Sequence, residues 1–236
     1  MMASKPPAKA DARPAGKPWH QPGKWLANPA YWETEALAAR EGMPQRIHFI
    51  DCTLSEGDDC VGHQLNWNTR LALIERLDAV GVGEITLPSH ITFRRIGIRT
   101  RLVAKGPGVS PPLKGDWRGA IDRHIDLGTE VISPIFKWSY ADTISDFGGA
   151  LTKQAVVEAI SESIAYMKRQ RVRVVPWMVD SMRTPLDTAC LVFKAMADAG
   201  ADGVYVVDSR GNSTPLATRV FIRRVKQAVG RCDVYV

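Results

Sequence analysis

The stretch Asp51-Cys52-Thr53-Leu54-Ser55-Glu56-Gly57, followed at once by Asp58 and Asp59, puts four carboxylates within nine residues. In an apolar pocket they would repel one another, so they either face water or share a divalent cation. Glu56, beside a turn glycine, is the best single ligand candidate. Lys105 in RLVAKG and Lys137 in SPIFKW each close an apolar run. A lysine so placed forms a Schiff base, binds an anionic substrate or snorkels to the rim. VDSMRTP adds Asp180 and Arg183, and VVDSRGN adds Asp208, Ser209 and Arg210, with Ser209 equally suited to capping a turn. His63 and His90 stand alone, and no HxH, HxxxH or HExxH occurs in the chain. The four cysteines lie far apart with no CxxC pair, which reads as reduced thiols rather than a zinc site or a disulfide framework.

These residues sit where apolar runs end. The runs close at about Asp51, Pro88, Lys105, Lys137, Asp180 and Asp208, and a seventh begins at Asp233. VRVVPWMV and GVYVVD are continuous rather than alternating, as in parallel strands covered on both faces. Helical stretches intervene. Thr184 is expected to cap one with Pro185 in its first turn and Gly200 after it. Thr214, Pro215 and Gly230 frame another, and Asn66 or Asn68 opens a third that ends before Gly81. Repeated β–α–β units require right-handed crossovers and a parallel sheet. No GxGxxG turn follows any strand, which argues against a dinucleotide-binding fold and favours a TIM-type (β/α) barrel. The count gives an incomplete barrel, about six to seven of eight strands. In barrels of this kind function sits at the C-terminal strand ends, where the polar residues above fall.

The expected organisation is a disordered leader over 1–28, a helical segment over 29–45 and the barrel over 46–236. The formal charge of +6 is mostly the leader: Lys5, Lys9, Arg13, Lys17 and Lys24 against Asp11 give +4 of it. A Pro-, Ala- and Lys-rich tail cannot bury enough apolar surface to order itself, so the charge predicts a solvated segment and no nucleic-acid partner. No apolar stretch approaches the length needed to span a bilayer, and the N-terminus has no apolar signal core. A cytoplasmic protein is expected.

Four stretches in order resemble one family over about residues 46–236. DCTLSEG at 51–57 resembles the D-x-T-L-R-[DE]-G signature of the DRE-TIM metallolyases. LIERLDAVGVGEITLP is similar to that family's first helix and second strand, VDSMRTP to its D-A-T-R-S-D, and VVDSRGNSTP to its P-D-T-V-G-x-x-T-P. The group includes isopropylmalate, homocitrate and citramalate synthases and hydroxymethylglutaryl-CoA lyase, and is also called HMGL-like or pyruvate carboxyltransferase-like. The resemblance implies making or breaking a C–C bond beside the carbonyl of a 2-keto acid, with an acyl-CoA as candidate co-substrate. It implies a divalent metal (Mg, Mn or Zn) as Lewis acid and a homo-oligomer in the full-length form. Carried over by position, Glu56 matches the metal carboxylate, Ser209 the hydroxyl that binds the keto-acid carboxylate, and Arg183 the fifth-strand arginine. Lys105 is assigned to substrate binding, and Lys137 and Asp180 to catalysis.

The chain departs from the pattern at Ser55, where the signature has arginine, and at Thr86 and Val179, where the family has glutamates. Losing an arginine that holds a developing negative charge costs roughly 3–4 kcal/mol of transition-state stabilisation. Lys105 or Lys137 could take over that charge. The family's H-x-H metal pair falls just beyond DVYV, where the sequence stops, so the chain reads as a fragment expected to bind metal poorly and catalyse little. Two other readings stand beside the metal-dependent enzyme: a Schiff-base aldolase using Lys105 or Lys137, and a non-catalytic barrel that binds a metabolite or a partner.

Overall fold

The computed structural model describes residues 47–58, 60–62, 65–88, 97–106, 115–137 and 152–236. The leader, the expected 29–45 helix, His63 and His90 lie outside the described residues. Residues 48–236 form one compact unit. Its elements run β1 (Ile50–Asp51), α1 (Thr53–Asp58), α2 (Trp67–Val80), β2 (Glu84–Pro88), β3 (Arg101–Lys105), α3 (Trp117–Asp126), β4 (Val131–Ser133) and β5 (Ile135–Lys137). They continue through α4 (Lys153–Arg169), β6 (Arg173–Val174), β7 (Trp177–Val179), α5 (Leu186–Asp198), β8 (Gly203–Val206), α6 (Pro215–Val229) and β9 (Asp233–Tyr235).

All strand pairs are parallel, in the orders β1-β2-β3-β4-β6 and β5-β7-β8-β9. The two sheets are one wall broken at prolines. β4 and β5 are halves of a single stave interrupted at Pro134, and β6 and β7 halves of the next, interrupted at Val175 and Pro176. A proline has no N–H for the ladder, yet its carbonyl still accepts. The Trp177 N–H donates to Pro134 O at 2.9 Å and the Tyr205 N–H to Pro176 O at 2.9 Å, so pairing resumes past each break. The result is seven parallel staves in chain order, with no pairing between β1 and β9 among the described residues: a TIM-type wall that is not closed.

Alternation along the staves sorts side chains between lumen and helix layer. Ile132, Val174, Met178, Val204 and Val206 join Ile160, Ile164, Met167, Val192, Phe193, Met196, Phe221 and Val225 from α4, α5 and α6 in the largest cluster. Ile85, Leu87, Leu102 and Ala104 pack with Leu54 and Ile74. Val103, Val131, Val175 and Tyr205, with Trp177 and Tyr235 against them, line the lumen. Burying each large side chain contributes about 1.5–3 kcal/mol, so the helix layer holds the staves in place.

Asn66 caps α2, accepting from the Thr69 N–H at 2.9 Å, and Gly81 leaves it at φ 84°. Thr214 caps α6, accepting from the Ala217 N–H, with Pro215 in the first turn. For α5 the expected cap is corrected: Pro185 itself occupies the N-cap position with no side-chain cap bond, because Thr184 is still engaged in the preceding 3-10 turn, its N–H donating to Ser181 O. Asp78 near the end of α2 accepts from the N–H groups of Arg99 and Thr100 and from the Thr100 hydroxyl, which fixes the entry to β3 and hence the place of Lys105. These hydrogen bonds from Thr100, first among the causes, hold the Asp78 carboxyl below its ordinary value. No helix among the described residues is long and apolar enough to cross a membrane.

Candidate functional site

The C-terminal end of the first stave turns at once into α1. The Asp51 carboxylate accepts from the Thr53 N–H at 3.0 Å and the Thr53 hydroxyl at 3.2 Å, an Asx turn that starts the helix. Leu54 is fully buried and anchors it. That anchor points Ser55 inward, 2% exposed, where its hydroxyl donates to Cys52 O at 3.1 Å and approaches Glu56 Oε1 at 3.4 Å. The position of the signature arginine is thus filled by a short, neutral, internally bonded side chain. Cys52 lies against Thr86, its Sγ 3.7 Å from Thr86 Oγ1, and burial above all pushes its thiol up, so it is a neutral thiol at neutral pH.

Glu56 faces outward, and Lys105 meets it from the third stave. Nζ stands 2.8 Å from Glu56 Oε1, with the lysine side chain 18% exposed and the glutamate 54%. Two residues assigned separate roles in the sequence are therefore one ion pair across the C-terminal strand ends. Thr86 is fully buried in the second stave at the family's glutamate position. A glutamate does occur on that strand, one lumen level lower: Glu84 is 5% exposed and accepts from Arg101 at 2.8 Å, away from the C-terminal ends.

A second group forms after β7 and β8. Asp180, 2% exposed, adopts a left-handed conformation at φ 57°. Its carboxylate accepts from Arg183 Nε at 2.8 Å to both oxygens, and from Arg183 Nη2. Its N–H donates to Ser209 Oγ at 2.9 Å. Ser181, which sequence reasoning passed over, stitches the two loops: its hydroxyl donates to Val207 O and accepts from the Val207 N–H. The signal was present, since a serine two residues past a strand end suits such a bridge. Asp208 accepts from the N–H groups of Ser213 and Asn212, and these bonds, Ser213 first, keep its carboxyl below the ordinary value. Lys137 ends β5 in register with Val179. Its side chain, those of Asp58 and Asp59, and any contact they make lie outside the described residues.

Glu56 and Lys105 are thus brought together, as are Asp180, Arg183 and Ser209, with no hydrogen bond between the two groups among the described residues. No three His, Cys, Asp or Glu side chains converge as a metal site among the described residues. Glu56, the one carboxylate expected to ligate, is already held by an ammonium. The described donors do not fit a resident divalent cation.

No family model matches the chain. It is similar over 194 residues to the 2-isopropylmalate synthase of Methanocaldococcus jannaschii, at 26% identity, covering 79% of this chain and 36% of that protein. It is similar to the homocitrate synthase of Sulfolobus acidocaldarius at 26% identity, covering 78% of this chain and 40% of that one. The homocitrate synthase of Sulfurisphaera tokodaii matches at 28%, with 78% and 41% covered. The chain spans less than half the length of these relatives. In fold it is similar to hydroxymethylglutaryl-CoA lyase from Pseudomonas aeruginosa, with a TM-score of 0.65 at 16% identity over 81% of this chain and 67% of that one. The lyase from Brucella melitensis gives 0.63 at 12% identity, covering 81% of this chain and 71% of its own. An open parallel wall, the polar strand ends and these relatives agree: the chain is similar in sequence to isopropylmalate and homocitrate synthases and in fold to hydroxymethylglutaryl-CoA lyases.

Proposed function

We propose that the C-terminal ends of the staves take a 2-keto acid and support carbon–carbon bond making or breaking beside its carbonyl, with an acyl-CoA as co-substrate in the synthase direction. The observation that carries this reading is the Lys105–Glu56 pair at 2.8 Å. Ser55 brings no charge to the site, whereas Lys105 brings one to the Glu56 carboxylate from the third stave. The ammonium stands where a developing enolate oxygen can be held, a role worth roughly 3–4 kcal/mol for an oxyanion donor. Glu56, half exposed, takes the proton from the carbon next to the carbonyl; the C–H electron pair becomes the enolate, whose oxygen Lys105 stabilises. A Schiff base at Lys105 needs a free neutral amine, whereas this one is committed to Glu56.

The test is proton exchange into pyruvate in deuterated buffer, followed by proton NMR. The wild-type chain is expected to exchange the methyl protons faster than buffer alone, and Lys105→Met to lose about 10²–10³-fold of that rate. Borohydride with pyruvate is expected to leave no adduct on Lys105. Absence of exchange above buffer in the wild type, with binding retained, overturns the catalytic reading in favour of a metabolite-binding barrel.

A further inference from the structure

Barrel lumens are ordinarily filled by branched apolar side chains in layers. Here Val103, Val131 and Val175 do so, but the same lumen positions along the fourth, fifth and sixth staves also carry Ser133, Arg173, Trp177 and Tyr205. Ser133 is fully buried and Tyr205 is 7% exposed. Ser133 Oγ, Arg173 Nε, Trp177 Nε1 and the Tyr205 hydroxyl are all buried atoms with no hydrogen-bond partner among the described residues, and so is one acceptor, Glu84 Oε2. Each such group left unmade costs about 1–3 kcal/mol, so a native lumen that keeps several of them holds something that satisfies them.

Register puts these donors together. Arg173 lies level with Val131, and the Val175 N–H donates to Ile132 O, which sets Ser133 between the heights of Arg173 and Trp177 on the adjoining stave. Trp177 is the direct partner of Tyr205. Their rings lie 4.7 Å apart, and Tyr205 stacks in turn on Tyr235 at 4.8 Å, so the two polar ends are held in fixed orientation. Gly203 makes room for this stack: a Cβ there would come within 2.4 Å of the Tyr235 ring. Burial first, then the Glu84 charge, pushes the Tyr205 phenol up, so it remains a donor at neutral pH. Two obligate donors, Arg173 Nε and Trp177 Nε1, and two hydroxyls against one obligate acceptor leave donors in excess, which calls for an acceptor-rich guest rather than an apolar one. Lys105 is the Cα partner of Ser133, one stave away, so the Lys105–Glu56 site and this set of donors adjoin.

We propose that Ser133, Trp177 and Tyr205 form a receptor for a small carboxylate in the lumen, beside Lys105. Resting on the 2-keto acid reading above, the guest is the keto acid's own carboxylate, with its keto oxygen toward Lys105. This places the carboxylate inside the barrel rather than at Ser209, whose oxygen already accepts from the Asp180 N–H. Ser133, Trp177 and Tyr205 are then substrate-positioning residues.

The experiment follows the indole N–H resonances of the ¹⁵N-labelled chain during titration with pyruvate and, separately, acetate, with Trp177→Phe assigning the Trp177 signal. The Trp177 resonance is expected to shift saturably with pyruvate, and Ser133→Ala and Tyr205→Phe are each expected to weaken binding about tenfold or more, as for a lost hydrogen bond to a charged group. Three outcomes separate this inference from the reading beneath it. Pyruvate binding that depends on Lys105 but leaves the Trp177 indole and the Ser133→Ala affinity unchanged overturns the lumen receptor and spares the keto-acid site. A shift with acetate as strong as with pyruvate, insensitive to Lys105→Met, keeps the receptor and removes the keto-acid reading. No shift with either anion means that water alone satisfies the donors, and the inference falls.

Discussion

A carboxylate 2% exposed must be paired or neutral, and Asp180 is paired on both oxygens by Arg183. In the sequence, Asp180 stands at a strand end and reads as a catalytic group. In the fold its carboxylate is spent on Arg183, and its N–H on Ser209. The pair therefore fixes the loop after the fifth stave. Arg183→Ala leaves a buried unpaired charge and is expected to lower stability by about 3 kcal/mol in denaturant unfolding. Asp180→Asn in the same background, which removes the charge and tolerates the left-handed backbone, is expected to recover part of that loss. An unchanged unfolding midpoint in Arg183→Ala would show that the pair does not hold the loop. Lys105 and Glu56 were both legible as single polar residues at strand ends. Their pairing was not, because they are 49 positions apart and meet only when the first and third staves lie two apart in the wall.

At the level of elements, most of the wall was legible. The strand ends read at Asp51, Pro88, Lys105 and Lys137 coincide with those of β1, β2, β3 and β5, because parallel strands buried on both faces leave continuous apolar runs. The end read at Asp208 falls two residues past β8, since Val207 still packs in the lumen without ladder pairing. The breaks at Pro134 and Pro176 were invisible as breaks: each proline sits inside an apolar run, and only the resumed ladder shows the stave to be continuous. α3 and α4 went unread, although Asp116 and Thr152 cap them, because neither is framed by the proline and glycine that marked α6. α3 carries a testable consequence. His124 near its end is buried, with Nδ1 unpartnered among the described residues, and burial first, then Arg123, holds its imidazole below the ordinary value of 6.5. As pH falls through that value the unfolded chain takes up a proton that the fold resists, so stability is full above it and declines below. The melting temperature is expected to drop between pH 7 and pH 5 more steeply in the wild type than in His124→Asn. Parallel profiles would remove His124 from the pH dependence.

For the whole molecule, the likeness to the synthases and the fold could be read from four short motifs, whereas the lumen could not. Glu84, Arg173, Trp177 and Tyr205 look like ordinary strand residues until seven staves bring them to one axis. The same closure of distance explains why the chain can lack the signature arginine at Ser55 and still carry a cation at its strand ends. Lys105, paired with Glu56, is proposed as that cation for a bound 2-keto acid. Isothermal titration of the chain with pyruvate tests it most directly, with wild type and Lys105→Met compared at one pH. One-to-one binding is expected in the wild type, weakened about tenfold or more in Lys105→Met. Equal affinity in the two proteins, or no heat in either, would contradict it.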